Sequence, residues 1–590
     1  MRNYPLKQQY RIVLIALLFL LVSVPATSPA ETRPGSVEDP LNGKTIRNID
    51  IVVRDIFQKP EPNAIYRTAN SLKIKTKEHV VRQELLVKEG DKYDRFLIDE
   101  SIRALRRLPY FRRVEIIPAA KGEYVDLLVR VQDTWTFIPQ FSFSGGDGRD
   151  RFSAGLVESN LLGYGKRIET FYAKEDNRET IAAAYDDRRV MGSRTRFTIG
   201  GFTRSDGQSA FLDVGQPFFN LVDPYAWHVT LDDSDIVGRL FQNGNERFIY
   251  RTKRRNASLR YTIARGKPES HVLRFAFGYQ YSENKFSKAT LDDYADLGLN
   301  PSAVSNDPSM LADDRIFSGP LFSLQSIEPD FISMNYIDRF SRVEDYNLGE
   351  EWSVTFFPAL EFFGSDGNQA ILSGSLSDGK LYSKNSFFRW EVSANSRYKN
   401  SELENSLISL QLKYFNVLGP VKIGSWELGK HTLAGSLFVD YGDSLDRDRE
   451  LLLGGDSALR GYDARTFSGD KRYAINIEDR MHFVDDWLEL ISVGAALFAE
   501  AGGSTFDNFG DLVTDHTFAD VGIGLRFAFP RSESSRVFRI DLAIPLRDGP
   551  DGTGAFEPRI LFGGGQVFDA RLRTEKFGPE QTNLLIGIDR

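Results

Sequence analysis

From Trp135 to Phe568 the chain repeats one pattern: eight to twelve residues that alternate between apolar and polar side chains, followed by a turn rich in Gly, Asp, Asn or Ser. Arg196–Phe202 and His271–Tyr279 are clear examples. A period of two is the pattern of a β-strand with two unlike faces. Many such strands at regular spacing, without helical stretches between them, predict an all-β sandwich, propeller or barrel.

The length of this region favours a barrel. It has room for about sixteen antiparallel strands with their loops, which lies within the size range of outer-membrane barrels. Because lipid-facing and lumen-facing residues alternate along such strands, a hydrophobic content of only 41% is compatible with a membrane protein. A soluble propeller is the alternative architecture.

The first thirty residues have the three parts of a secretory signal peptide. Three basic residues come first, Ile12–Val24 form an apolar stretch, and Ser28–Ala30 offer small residues for cleavage. An uncleaved anchor is the alternative, but the apolar stretch is short for a membrane-spanning helix. We therefore predict an exported chain. Since the sequence contains no cysteine, burial and strand pairing must stabilise it without disulfides.

A small αβ module precedes the alternating region. Apolar periodicity predicts its elements in the order β-α-α-β-β, with the two helices packing on one sheet. The predicted elements are Thr45–Phe57, Lys77–Val87, Arg95–Leu108, Val114–Ile116 and Val125–Val131.

This order, with Glu89–Tyr93 between the helices and Leu108–Phe111 before the second strand, resembles a POTRA domain. One copy fits. The predicted domains are a signal peptide at 1–30, a single α+β POTRA domain at 44–133, an all-β barrel at 134–568 and a C-terminal tail at 569–590. The segment Gln58–Thr76 is longer than the usual link after the first strand, and the sequence assigns it no role.

Five arginines cluster near the end of the module: Arg103, Arg106, Arg107, Arg112 and Arg113. Nucleic-acid binding is disfavoured, because the protein has a net charge of −8, is predicted to be exported and has few aromatic residues between these arginines. Two interpretations stay open. The cluster is either a solvated face or a contact for anionic lipid heads or acidic client segments.

One short motif differs from the ordinary turns. The run Leu459–Tyr462 (Leu-Arg-Gly-Tyr) follows Gly454–Asp456 and precedes Phe498–Gly502 (Phe-Ala-Glu-Ala-Gly) by some forty residues. A charged arginine is costly inside a protein unless a carboxylate meets it, so the spacing suggests a loop folded back into the barrel with Arg460 paired to Glu500. The alternative is a hairpin loop with a surface arginine.

The two motifs resemble the sixth extracellular loop of the BamA/TamA family of bacterial surface antigen proteins, which insert or export polypeptides at outer membranes. In that family the loop tip enters the barrel lumen and its arginine meets an acidic residue of a neighbouring strand, more often Asp than Glu. The segments Asn160–Gly165 and Arg539–Leu546 also resemble parts of the family's barrel. The resemblance implies a site made of Leu459, Arg460, Gly461, Tyr462, Phe498, Glu500 and Gly502.

The last strand is predicted at Arg559–Phe568, ending in an aromatic residue. Three consecutive glycines remove side chains from this strand, and a proline in the first strand has no N–H for a ladder hydrogen bond. We therefore predict a weak lateral seam between the first and last strands, formed by Pro139, Phe141, Gly563, Gly564, Gly565 and Phe568.

The sequence predicts no enzyme, because its six histidines show no metal-ligand spacing and cysteine is absent. No metal or cofactor is expected. The resemblance implies an outer-membrane assembly or translocation factor with its POTRA domain in the periplasm. Its expected partners are the lipid bilayer, unfolded client polypeptides and periplasmic chaperones or accessory subunits, without nucleic acid. The alternative is an exporter pore of the two-partner-secretion type or a passive channel.

Overall fold

The computed structural model of the protein describes residues 39–58, 64–144, 151–175, 178–424, 426–533 and 537–564. The predicted signal peptide, the predicted tail, Gly565 and Phe568 lie outside these residues. Within them, the chain forms a small αβ unit followed by one large antiparallel sheet.

The αβ unit has the predicted order with one additional helix. The central strand β3 is parallel to β1 and antiparallel to β2, and the helices cover an apolar core that includes Val81 and Leu105. Its elements are β1 (Thr45–Arg54), α1 (Ala64–Leu72), α2 (Glu78–Arg82), α3 (Arg95–Arg106), β2 (Phe111–Lys121) and β3 (Tyr124–Asp133).

Two details differ from the predicted module. The additional helix α1 lies within Gln58–Thr76, the segment without a predicted role. The helix α2 is shorter than the predicted Lys77–Val87, because the chain turns away after Gln83 and the N–H of Leu86 donates to the Ser101 hydroxyl of α3 at 2.9 Å.

The remaining strands follow one another to the end of the described chain, with short helices α4 (Leu291–Asp296) and α5 (Phe509–Thr514) in two of the loops. They are β4 (Phe137–Ser144), β5 (Arg151–Glu158), β6 (Lys166–Glu175), β7 (Arg178–Asp187), β8 (Arg196–Arg204), β9 (Gly207–Gln216), β10 (Tyr225–Gln242), β11 (Asn245–Lys267), β12 (His271–Lys288), β13 (Arg315–Ile327), β14 (Phe331–Met334), β15 (Glu344–Asn347), β16 (Glu351–Ala359), β17 (Gln369–Ser383), β18 (Ser386–Lys399), β19 (Glu402–Ile423), β20 (Trp426–Asp443), β21 (Leu451–Leu453), β22 (Phe467–Gly469), β23 (Lys471–Trp487), β24 (Ile491–Thr505), β25 (Phe518–Ala528), β26 (Val537–Pro545) and β27 (Arg559–Gly564).

Twenty of these strands form one sheet in chain order, and that order closes into a barrel with β27 beside β4. The pairs β14–β15 and β21–β22 are separate two-stranded sheets. The predicted antiparallel all-β region is confirmed, but the predicted number of about sixteen strands is wrong. Several turns contain only two residues, such as Asn243–Gly244 with both residues at positive φ, so the chain crosses the barrel more often than the assumed spacing allows.

The barrel has two distinct ends. The αβ unit leads directly into β4, so the turns beside it define the POTRA end, and the opposite turns define the far end. Two long connections matter for the site. The far-end loop, residues 444–470, joins β20 to β23, and the inner segment, residues 328–350, joins β13 to β16 at the POTRA end.

The outer surface of the barrel is apolar and its inner surface is polar. Side chains that alternate with buried charged residues stay exposed on the outside, as Ile477 does at 62% beside the buried Glu478. A soluble protein of this size rarely exposes so many large apolar residues, whereas strands in contact with lipid do. The outer residues include Ile168, Ile181, Ile199, Leu231, Leu259, Phe275, Phe322, Phe356, Leu433, Ile477, Leu497, Ile523, Ile540 and Ile560.

The helices are all short. In the described part of the chain, none reaches the length and apolar character required to cross a membrane.

Candidate functional site: an arginine network inside the barrel

The far-end loop folds back into the barrel and buries its tip. Leu459 and Tyr462 have no exposed surface, and the Tyr462 hydroxyl donates to the main-chain oxygen of Arg547 at 3.0 Å. The loop enters through Gly454 at a φ of +124°, where an added Cβ would lie 2.1 Å from the Asp463 oxygen. The sharp turn therefore requires glycine at this position. The loop joins the fifteenth and sixteenth barrel strands, so it is the eighth at the far end, whereas the resemblance implied a sixth loop.

Arg460, at the tip, is fully buried and contacts three carboxylates. Its guanidinium lies 3.0 Å from Glu500, 2.9 Å from Glu478 and 3.1 Å from Asp541. Its main-chain N–H also donates to Glu500 at 2.8 Å. The guanidinium carbon lies 3.4 Å from the centre of the Phe498 ring, so one face of the cation rests on an aromatic face. The structure thus brings the predicted residues Arg460, Phe498 and Glu500 together.

Further charges surround this centre. Arg480 contacts Glu478 at 2.8 Å, and both Arg526 and Arg539 contact Asp541 at 2.5 Å. Asp520 accepts the main-chain N–H of Gly461 at 3.0 Å. We call these eight residues the arginine network: Arg460, Arg480, Arg526, Arg539, Glu478, Glu500, Asp520 and Asp541.

The arginine network brings four arginines and four acidic side chains together in the buried interior of the barrel. All eight residues are at most 4% exposed. Burying charges costs several kcal/mol per ion, and mutual attraction offsets this cost only while every partner is present. The network therefore fixes the loop in one position and makes that position sensitive to the loss of any member.

Glycines make room for the network. At Gly461, an added Cβ would lie 2.8 Å from Asp520. At Gly522 it would lie 2.3 Å from the Phe498 ring, and at Gly524 it would lie 1.9 Å from the Asp541 carboxylate. At Gly502, another predicted site residue, it would lie 2.3 Å from the Tyr473 oxygen on the neighbouring strand. Gly461, Gly522 and Gly524 are glycine because acidic or aromatic side chains occupy the space of a side chain, and at Gly502 the neighbouring strand occupies it.

The sequence prediction missed Glu478, Asp541 and Asp520. For Glu478 the alternation of its strand gives an indication. Glu478 and Arg480 alternate with the exposed Ile477 in β23, so both point inward. A pair of charges at inward positions of one strand indicates a buried network, but the sequence does not show which strands bring them to the loop tip.

The predicted seam is described in part. Pro139 is exposed on β4, and Gly563 and Gly564 lie in β27. Phe141 lies in β4, and its side chain is outside the described atoms, as are Gly565 and Phe568 entirely. Gly563 pairs with Arg539, and an added Cβ would lie 3.0 Å from that guanidinium. This glycine therefore also accommodates the arginine network.

The predicted family segment Asn160–Gly165 forms a docking point for the αβ unit. The Asn160 amide donates to the Thr76 hydroxyl at 2.7 Å, and the Lys77 N–H donates to the Gly163 oxygen at 2.9 Å. At Gly165, an added Cβ would lie 2.7 Å from the Tyr110 hydroxyl. The Thr76 hydroxyl in turn donates to Asp133, whose pKa burial raises.

The helix α1 supplies a second docking point, which accounts for the segment Gln58–Thr76. Tyr66 stacks on Phe57 with ring centres 4.5 Å apart, and its hydroxyl donates to the Leu488 oxygen in the β23–β24 turn at 2.5 Å. Next to it, the Trp135 N–H donates to the Arg531 oxygen of the β25–β26 turn at 2.6 Å.

The arginine cluster of the αβ unit faces the barrel. Arg106 contacts Asp345 at 2.9 Å, Arg107 donates to the Phe219 oxygen at 3.1 Å, and Arg112 contacts Asp486 at 3.0 Å. Burial lowers the pKa of Arg112. For Arg106 and Arg112 the interpretation as a solvated face is wrong, because the barrel contacts them, whereas Arg107 stays exposed.

Within the described ranges, no group of three or more His, Cys, Asp or Glu side chains is placed to hold a metal ion.

The fold and the site together define a POTRA unit docked on a β-barrel with an internal loop. Residues 70–133 match the POTRA family described as "Surface antigen variable number repeat". The chain is 29% identical over 126 residues to a putative outer membrane protein assembly factor of Treponema pallidum, and 27% identical over 162 residues to outer membrane protein assembly factor BamA of Nitratidesulfovibrio vulgaris. It thus contains a POTRA domain and is homologous to BamA-type assembly factors.

These matches are partial. They cover 20% and 25% of this chain, and 15% and 20% of the two relatives. Among solved structures, CdiB from Acinetobacter baumannii aligns over 89% of this chain and 74% of its own length, with 13% identity and a TM-score of 0.43.

A half-buried carboxyl makes the docking of the far-end loop sensitive to pH. The Glu450 carboxylate accepts the Phe241 N–H at 2.9 Å, and burial raises its pKa to about 7. Because this pKa exceeds the unfolded value of 4.5, the docked loop gains stability below about pH 4.5 and loses it as the pH rises through about 7. We expect faster limited proteolysis of the far-end loop at about pH 8 than at about pH 5. Glu450→Gln should remove most of this difference, and the exposed control Glu402→Gln should preserve it. Equal cleavage at both pH values in the unmodified protein would contradict the assignment.

Proposed function

We propose that the protein is an outer-membrane assembly factor that receives unfolded polypeptides at its POTRA domain and inserts them into the membrane. The apolar outer surface of the barrel supports a place in a lipid bilayer. The homology to BamA-type assembly factors supports the kind of client. On this proposal the POTRA end faces the periplasm.

The observation that carries the proposal is the combination of a POTRA domain fixed to the barrel end and a last described strand, β27, that lies beside β4 and contains Gly563 and Gly564. Glycines contribute no cross-strand side-chain pairs, so this junction opens at the lowest cost. An open junction presents unpaired main-chain groups, on which a client strand can pair within the lipid.

The POTRA sheet offers a first contact for the client. In the sheet order β1-β3-β2, the strand β2 lies at an edge. In the outer half of β2, Ile117, Ala120 and Lys121 are exposed. An extended client segment pairs with such an edge through main-chain hydrogen bonds, whatever its sequence. No bond chemistry is involved, and Arg460 with its carboxylates holds the loop that shapes the lumen.

Depletion of the protein tests this function. We expect the outer-membrane proteome to lose β-barrel proteins, while the set of secreted proteins stays complete. A strain that retains its barrel proteins but loses one secreted protein would support the exporter pore instead. Re-expression of the unmodified gene is the control for secondary effects.

A further inference from the structure

The inner segment, residues 328–350, fills the barrel at its POTRA end. Ile337, in the connection between β14 and β15, has no exposed surface and packs in one apolar cluster with Phe387, Phe415 and Ala434. These three residues lie on the POTRA-end parts of β18, β19 and β20. The segment is therefore part of the interior and is not an ordinary surface turn.

The segment crosses the lumen from one wall to the other. The Thr432 hydroxyl of β20 donates to the Tyr336 oxygen at 2.7 Å. The Phe340 ring lies 4.9 Å from the ring of His482 on β23 and packs with Val537 on β26. The segment leaves from β13 and returns to β16, so its contacts reach the opposite side of the barrel.

One carboxylate connects this segment to the far-end loop. Arg480 donates to the Ile337 oxygen at 2.8 Å and to one oxygen of Glu478 at 2.8 Å. The other oxygen of Glu478 accepts a hydrogen bond from Arg460 at 2.9 Å. Two chain segments that enter from opposite ends are thus held by the two oxygens of Glu478.

The POTRA domain holds the same segment from below. The Arg103 guanidinium lies 4.5 Å from the centre of the Phe331 ring, and Arg106 contacts Asp345 at 2.9 Å. Arg342 of the segment donates to the Leu108 oxygen of the POTRA domain at 3.3 Å. Any movement of α3 away from the barrel breaks these contacts.

Above the segment, one side of the lumen has hydroxyl groups that keep access to water, and the charged residues Arg389, Glu391 and Lys413 lie at inner positions between these hydroxyl groups and the POTRA end. These side chains pair across strands on the inner face, as Ser353 with Ser375 at 2.9 Å and Thr355 with Ser323 at 3.0 Å, and each is only half-buried. Ser393 on β18 and Ser409 on β19 continue this wall toward the far end from Phe387 and Phe415. The arginine network, by contrast, fills the side formed by β23–β26.

We propose that the inner segment is a gate that closes the POTRA end of this hydrated side, and that the passage admits an extended polypeptide. The nature of the passing chain rests on the proposed function; the gate itself rests on the contacts above. Hydroxyl groups exchange hydrogen bonds with water and with a main chain at little net cost. Release of Arg480 or of the POTRA contacts frees the segment.

The ionic conductance of the full-length protein in planar lipid bilayers tests the gate. We expect low conductance for the unmodified protein and a several-fold increase for Arg480→Gln, which leaves the Ile337 oxygen without its charged donor. The matched control is Arg178→Gln. Arg178 is also buried and paired, with Asp206 at 2.9 Å, but it lies at the far end of the fourth strand. This control should keep the low conductance.

A second pair of variants keeps the test valid if Arg480→Gln does not fold. Replacement of residues 333–345 by a short Gly-Ser linker should raise the conductance, with slower migration after boiling as evidence of a folded barrel. In Tyr336→Cys with Thr432→Cys, a short reducible thiol cross-linker should lower the conductance, and reduction should raise it again. Unchanged conductance in the folded linker variant would overturn the gate.

Client assembly measured in the same variants separates the two proposals. If the gate variants change the conductance as expected but depletion of the protein causes no defect in client assembly, the gate stands and the proposed function fails. If the closed cross-link leaves client assembly intact, the gate does not lie on the client route and that part of the inference is overturned. Loss of assembly on closure, restored by reduction, supports both.

Discussion

Replacement of Arg460 by alanine is expected to abolish client assembly and to destabilise the closed barrel by at least about 3 kcal/mol. The reason is that Glu478, Glu500 and Asp541 all lose their central cation while they stay buried. A lysine at this position should recover little, because a single ammonium group cannot meet three carboxylates and rest flat on Phe498. The temperature at which the folded, fast-migrating form disappears on SDS gels gives the stability, and complementation of a depleted strain gives the activity.

Two further variants sharpen this test. The exchange Arg460→Glu with Glu500→Arg would restore a simple pair, which is what the sequence alone suggests. In the structure Arg460 serves three carboxylates and Glu500 also accepts a main-chain N–H, so the exchange should fail as completely as either half. Arg178→Ala, which removes a buried arginine outside the network, should cost less. Normal growth and assembly with Arg460→Ala would exclude a role for the network.

The centre of the site was predictable because two local motifs carry it. Arg460 is useful inside a barrel only with a carboxylate, and the strand around Glu500 supplies one together with Phe498. The other members were not predictable, because their contribution depends on register. Asp541 reaches Arg460 only because β26 lies two strands beyond β24 with Asp541 opposite Gly524, and a shift of one residue would turn it outward.

The same limit applies to the fold. The period of two correctly predicts antiparallel strands, since each has one apolar and one polar face. It does not predict the number of strands when a turn such as Asn243–Gly244 occupies two residues. Nor does it distinguish the inner segment from a surface hairpin, because Phe331–Met334 and Glu344–Asn347 pair in the ordinary way. Only the position of Ile337 inside the barrel shows the difference.

Gly563 shows how one residue can serve two requirements. The sequence suggests that it weakens the last strand, because a glycine contributes no cross-strand pair. The structure adds that an added Cβ there would lie 3.0 Å from the guanidinium of Arg539, a member of the arginine network, which would then have to shift. The absence of a side chain at Gly563 therefore leaves space for the network and also removes a cross-strand side-chain pair beside the seam. The design of the lumen and the weakness of the seam are linked through this position.

Closing the seam is expected to stop client insertion while leaving the barrel folded. The protein has no native cysteine, so one cysteine along Phe137–Phe143 and one along Ile560–Gly564 can be cross-linked on a clean background. Each missing cross-strand pair removes roughly 0.2–1 kcal/mol, which makes this junction the one that separates first. A covalent bond prevents that separation without changing the lumen.

The matched control for the closed seam is Leu376→Cys with Val392→Cys. These residues are direct partners on β17 and β18, at positions that alternate with the inward Ser375 and Ser393, so their cross-link joins two strands in the middle of the sheet on its outer face. Insertion of client barrels into vesicles should proceed with this control and stop with the closed seam, and reduction should restore it. Full insertion with every seam pair closed would show that clients do not enter the bilayer between the first and last strands, and would direct attention to the hydrated side of the lumen as their route.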